Sequence, residues 1–140
     1  MYRENCPYCN VNTDVEQEIV LENETCYFIQ KESEQQVLQG SGLIIPKLHK
    51  QDVFELTDQE WRDSRDLLLG AKKILDQKFS PDGYSVGWNT GRAGGQSIFH
   101  AHLPASDSRM NRLQARESGI GLNKWRISEH NSRSSCWENF

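Results

Sequence analysis

The sequence predicts an α+β fold, a sheet of short strands built around one main helix. Three observations carry this. Thr57 to about Phe79 is the one long stretch with helical periodicity. Ile19 to Gln30, I-V-L-E-N-E-T-C-Y-F-I-Q, reads as two short strands around a turn at Glu22-Asn23-Glu24. Leu43-Ile44-Ile45 and Tyr84 to Trp88 are short apolar or alternating runs of strand length. At 140 residues the chain suggests one domain with a single core.

Composition narrows the function classes. With 36% hydrophobic and 26% charged residues the chain reads as soluble and globular. The net charge of −4 argues against a general nucleic-acid binder, which carries a basic face. No apolar run reaches the length of a membrane span, and Met1-Tyr2-Arg3-Glu4 opens no signal peptide, so the expected location is cytoplasmic.

The first element is E-N-C-P-Y-C-N, with Cys6 and Cys9 spaced to grip one metal ion. Zinc needs two further ligands to close a tetrahedron, and His49 and His100 are the candidates. A reduced, inert pair and a redox motif are the alternatives. A redox pair wants a strand before it and a helix after it, and no strand pattern precedes Cys6. Of the other cysteines, Cys26 falls inside the second strand pattern, where a buried small hydrophobe is expected, and Cys136 lies near the C-terminus.

Lys31 to Gln39 is polar and reads as a loop, and Pro46 ends the apolar run at Leu43. Thr57 and Glu60 form a T-x-x-E capping box, with Asp58 favouring the positive helix end. Trp61, Leu68, Ala71 and Leu75, widened by Leu67 and Ile74, form the expected core face. Ser80-Pro81-Asp82-Gly83 stops the helix.

The chemistry concentrates in N-T-G-R-A-G-G-Q-S-I-F-H-A-H-L-P, Asn89 to Pro104. A glycine turn suits close approach of backbone N–H groups to an anion. In an extended strand, His100 and His102 share one face with Ala101 turned away. Alone, H-x-H is weak evidence, since half-buried strands often carry satisfied histidines.

This stretch resembles the histidine triad (HIT) family, whose pattern is roughly N-x-G-x-x-A-G-Q-x-x-x-H-x-H-x-H. Asn89, Gly91, Gly94 or Gly95, Gln96, His100 and His102 match, and G-S-G-L-I-I-P-K at Gly40–Lys47 resembles the family's G-H-x-L-V-I-P-K strand. The sequence departs in three places: Pro104 stands at the third histidine, Ser41 at a common histidine, and the pair Gln30-Lys31 in the region where many members place a ribose-binding aspartate.

The resemblance implies a five-stranded antiparallel sheet, a homodimer, and a structural zinc on Cys6, Cys9, His49 and His100. It implies hydrolysis or nucleotidyl transfer on a nucleotide phosphoramidate or phosphoanhydride. His102 would attack the α-phosphorus and water would resolve the nucleotidyl-histidine. Beside it in the site would stand His100, while Asn89, Gly91, Gly94, Gly95, Gln96 and Ser97 would hold phosphate oxygens and the leaving group of a purine nucleotide or conjugate. Because Pro104 carries no proton to donate, a zinc protein that binds nucleotide with impaired turnover is the second reading. A small zinc module for protein contacts is the third.

The expected organisation is a HIT-like domain over 1–103, with its N-terminal zinc knuckle, and an aberrant irregular tail over 104–140. The tail holds six Lys/Arg against four Asp/Glu, a balance of +2, against −6 for residues 1–103. Codons for Asp107 to Trp125, read one base out of frame, are compatible with F-x-D-E-P-F-A-G-K-G-I-R-H-W-L-K-Q. That peptide resembles the segment after the third histidine in one HIT branch. The tail is therefore expected to be a frameshifted reading, with the break between about Leu103 and Ser106.

Overall fold

The computed structural model describes residues 2–107. The out-of-frame reading of the tail falls almost entirely outside the described residues, as does Cys136.

Five strands form one antiparallel sheet: β1 (Gln17–Glu22), β2 (Cys26–Lys31), β3 (Gly42–Pro46), β4 (Tyr84–Val86) and β5 (Leu103–Asp107), in the order β1-β2-β3-β5-β4. Helix α2 (Asp58–Phe79) packs on β1, β2 and β3. The α+β class, the antiparallel sheet and the single main helix are as expected. The polar run after β2 is not all loop, however. Its start coils into the short helix α1 (Glu32–Gln35), where Glu32 and Glu34 suit a helix's positive end.

Both faces of β2 and β3 are covered, which explains the unbroken apolar run at Leu43-Ile44-Ile45. Phe28 faces Ile44 across the ladder, and both pack with Cys26, Leu67, Ala71 and Leu103 beneath α2. The alternate residues Ile29 and Ile45 pack with Cys6, Tyr8 and Val11 on the other face. The N-terminal segment is therefore the second cover of the sheet.

Both bonds of the capping box form: Thr57 Oγ1 accepts from the Glu60 N–H and the Glu60 carboxylate from the Thr57 N–H. At the other end Ser80 turns left-handed at φ 45° and stops the helix. The core face differs from the one expected. Trp61 is 50% exposed and stacks on Trp88, while Glu60, Asp63, Ser64, Leu67, Ala71 and Leu75 are buried. Three polar residues occupy the inner face of the first turns because they have partners there. Asp63 accepts from the Thr25 N–H and hydroxyl and from Gln59, and Glu60 caps the helix. The Thr25 bond is the main cause that holds the Asp63 carboxyl below its ordinary range.

Two further strand expectations are corrected. β4 closes at Val86 rather than Trp88, and β5 begins only at Leu103, so neither histidine lies in a strand. Pro104 does not end the strand. It pairs with Leu43 of β3, and the ladder to β4 starts one residue later, at the Val86–Ala105 pair. Proline has no ladder N–H, and it sits here one residue outside the β4 ladder. Among the described residues no helix is long and apolar enough to cross a membrane.

Candidate active site and metal centre

The Cys6–Cys9 segment is a tight turn. The Cys9 N–H bonds to the Cys6 carbonyl at 3.2 Å, and the Asn10 amide reaches the carbonyls of Glu4 at 2.7 Å and Cys6 at 3.2 Å. A 3-10 turn (Val11–Thr13) follows, so the strand-before, helix-after setting of a redox pair is absent.

This turn carries the two sulfurs to two imidazoles distant in sequence. Cys6 Sγ lies 3.3 Å from His100 Nδ1, and Cys9 Sγ lies 3.4 Å from His49 Nδ1 and 3.6 Å from His100 Nδ1. The four ligand atoms all fall within 4.8 Å of one another. Tetrahedral zinc with its usual Zn–S and Zn–N lengths has S···N edges of about 3.6 Å. The three S···N spacings come near that edge, and Cys6, Cys9, His49 and His100 lie close enough to hold a metal ion.

The outer nitrogen of His100 is held in place. His100 Nε2 bonds the Pro46 carbonyl at 2.9 Å. A carbonyl only accepts, so Nε2 carries the proton and Nδ1 turns its lone pair to the sulfurs. Burial pushes the His100 pKa down to about 4 and lowers that of His49, which keeps both rings in the neutral, ligating form. Burial also raises the Cys9 thiol, so a cation must displace its proton. His49 Nε2 is buried without a hydrogen-bond partner among the described residues, leaving that ring anchored only at the cluster.

His102 sits two residues on, and its Nδ1 bonds the carbonyl of His100 at 2.8 Å. The same logic places a proton on Nδ1 and leaves the Nε2 lone pair free. His100 thus serves the cluster with its ring and His102 with its backbone. Although neither residue is in a strand, both rings pack edge-to-face with Tyr8, at 5.8 Å and 5.3 Å between centroids. Tyr8 had no role in the sequence reading. The aromatic inside C-P-Y-C was the available signal, but its partners, His100 and His102, come from a distant part of the chain.

The glycine turn is closed by its own hydrogen bonds. The Gly94 and Gln96 N–H groups donate to the Gly91 carbonyl, the Gly95 N–H to the Arg92 carbonyl, and the Gly91 N–H to Gln96 Oε1 at 2.9 Å. Gln96 Nε2 donates to the carbonyls of Gln51 at 2.7 Å and Ile98 at 3.1 Å. Gln96 is therefore a clasp, and the amides of Gly91, Gly94, Gly95 and Gln96 already have acceptors inside the turn. Ser97 is exposed and bonds to no other described residue, and the Asn89 side chain likewise has no partner among them.

Beside Tyr8 lies a cavity of about 180 Å³. Pro7, Tyr8, Ile29, Leu43 and Ile98 form its apolar wall, and Asp14, Gln17, Lys31 and Glu34 its polar part. Lys31 is paired there with Asp14 at 3.2 Å and Glu16 at 3.6 Å.

Residues 12–103 match the HIT domain. The chain belongs to the HIT family. This HIT protein is 32% identical over 101 residues to Protein hit of Bacillus subtilis, covering 71% of this chain and 68% of that one. Among solved structures, a HIT family protein from Bacillus anthracis superposes with a TM-score of 0.66 at 30% identity, covering 74% of this chain and 73% of that one. A HIT family hydrolase from Clostridium thermocellum gives 0.59 at 27% identity, over 75% and 91%.

Proposed function

We propose that this HIT protein is a nucleotide hydrolase or nucleotidyl transferase whose nucleophile is His102 Nε2. The hydrogen bond from His102 Nδ1 to the His100 carbonyl carries the reading, because it fixes the tautomer in which Nε2 can attack. The Nε2 lone pair forms a bond to the α-phosphorus, and the leaving group departs with the electrons of its own bond. Water then attacks phosphorus, the N–P electron pair returns to Nε2, and the water proton passes to solvent. The cavity lined by Tyr8 would seat the nucleoside of a purine nucleotide or conjugate, with Asn89 and Ser97 offering donors to phosphate. The closed glycine turn, clasped by Gln96, would shape that edge of the site.

Cys6, Cys9, His49 and His100 would hold zinc as a structural ion. Zinc would supply a cross-link between the N-terminal turn, the end of β3 and the histidine segment, and so keep the His100 carbonyl in register with His102. A homodimer and a cytoplasmic location complete the reading by family. We further propose that the HIT-like domain covers 1–103, with β5 carrying its sheet on to Asp107.

The test is adduct formation. Incubation with an activated adenylyl donor should give an acid-labile adenylyl-protein by intact mass spectrometry, absent in His102→Ala. Nucleotide binding without adduct would instead favour the second reading, a turnover-impaired binding protein, to which Pro104 points. Neither binding nor adduct would overturn both.

A further inference from the structure

The cavity beside Tyr8 has a composition that bears on which base it takes. At about 180 Å³ it is smaller than the roughly 300–1,000 Å³ of sites that enclose a whole drug-sized ligand, so it suits one flat ring system against its apolar wall. The polar part follows from the sheet register. Gln17 of β1 pairs with Lys31 of β2, so both side chains stand together on one face, and Ile29 of the apolar wall shares that face two residues earlier.

Lys31 is held in place there. Its Nζ donates to Asp14 Oδ2 at 3.2 Å and lies 3.6 Å from Glu16 Oε2. An ammonium carries three N–H groups, so these two carboxylates leave it one to offer a ligand. Asp14 is occupied in turn: Oδ1 accepts from the Glu16 N–H at 3.0 Å, and Oδ2 accepts from Gln17 Nε2 at 3.2 Å as well as from Lys31. Those bonds, the Glu16 N–H first, hold the Asp14 carboxyl below its ordinary range. Glu34, exposed on α1, lines the same cavity, and its carboxylate makes no hydrogen bond or ion pair among the described residues. The cavity therefore presents a fixed ammonium donor and an uncommitted carboxylate acceptor.

The two purines differ in how they meet that pair. The Watson–Crick edge of guanine sets an acceptor, O6, beside two donors, N1–H and the 2-amino group. A carboxylate takes the two donors as parallel bonds while an ammonium gives to O6. Adenine carries an amino group where guanine has O6 and a bare lone pair at N1. Its amino hydrogens would face the ammonium and its N1 the carboxylate.

We propose that this cavity selects guanine over adenine, with Lys31 donating to O6 and Glu34 accepting from N1–H and the 2-amino group. The inference rests on the reading that the cavity seats the nucleoside. A site built to hydrogen-bond particular donors rejects the analogue that lacks them, because its own polar groups are then left unpaired.

The experiment is calorimetric binding of GMP, IMP, AMP and 2′-deoxy-GMP to the full chain. GMP should bind at least about tenfold tighter than AMP, the scale of one bidentate base contact. IMP, which keeps O6 and N1–H but lacks the 2-amino group, should fall between them. Deoxy-GMP should stay close to GMP, since its base edge is unchanged. E34Q puts amide hydrogens where N1–H and the 2-amino group need an acceptor, and should bring the GMP-to-AMP affinity ratio to near one. K31M should lower the same ratio by removing the donor to O6. Wild-type binding of AMP as tightly as GMP would overturn the proposal, and that comparison needs no variant. Equal binding of GMP and AMP with a loss for deoxy-GMP would assign the carboxylate to the ribose and overturn it too. Absence of binding by every nucleotide would bring down the seating of a nucleoside in the cavity, and guanine selection with it.

Discussion

Gln96 holds three backbone groups at once, the Gly91 N–H and the carbonyls of Gln51 and Ile98, while being nearly fully buried. Gln96→Ala should cost about 2 kcal/mol in urea unfolding, since it strands buried polar groups, and should weaken nucleotide binding as the turn loosens. Gly94 is confined differently. A Cβ there would lie 2.2 Å from the Thr90 carbonyl oxygen, so Gly94→Ala must reshape the turn. Its expected signature is reduced nucleotide affinity with the metal still bound, read by calorimetry beside metal analysis. The identities of these residues were legible in N-T-G-R-A-G-G-Q, but their roles were not. Whether an amide faces a ligand or closes its own turn depends on φ and ψ, and the one-dimensional pattern is the same for both.

α2 shows how far periodicity reaches. The capping box was readable because its two partners lie three residues apart, and Thr57→Ala should lower stability by about 1 kcal/mol. The buried face was misread at its start. Hydrophobicity pointed Trp61 inward, whereas Glu60, Asp63 and Ser64 take the inner positions beside Thr25 and the helix cap. A thermal-melt comparison checks this. Phe28→Ala, in the core beneath the helix, should cost about 4 kcal/mol, and Trp61→Ala, half exposed on Trp88, only about 1 kcal/mol. The β5 strand adds a related lesson. Pro104 is accommodated in it opposite Leu43, one residue outside the β4 ladder that begins at Ala105.

For the whole molecule, the sheet is covered by α2 on one face and by the cysteine turn on the other, so a metal at the cluster would fasten one of the two covers. Cys9→Ser or a chelator should therefore lower the melting temperature and loosen residues around Tyr8, visible as faster amide exchange there. In the metal-free protein, burial depresses His100 from its ordinary 6.5 to about 4. The unfolded chain then binds the extra proton between these values. The stability contributed by the neutral ring is complete above pH 6.5 and is lost as pH falls to about 4, on the order of 3 kcal/mol in all. Unfolding midpoints measured across that window should fall, and His100→Gln should flatten the slope. By itself the sequence determined the α+β class, the capped helix, the central strand and the identity of the four cluster residues, because each is written in local spacing or in a short motif. Only the tertiary structure decided that Cys6 and Cys9 meet His49 and His100, that Tyr8 edges His102, and that the glycine turn closes on itself. Those relations depend on chain segments separated by up to 94 residues, or on backbone angles, and spacing along the chain records neither.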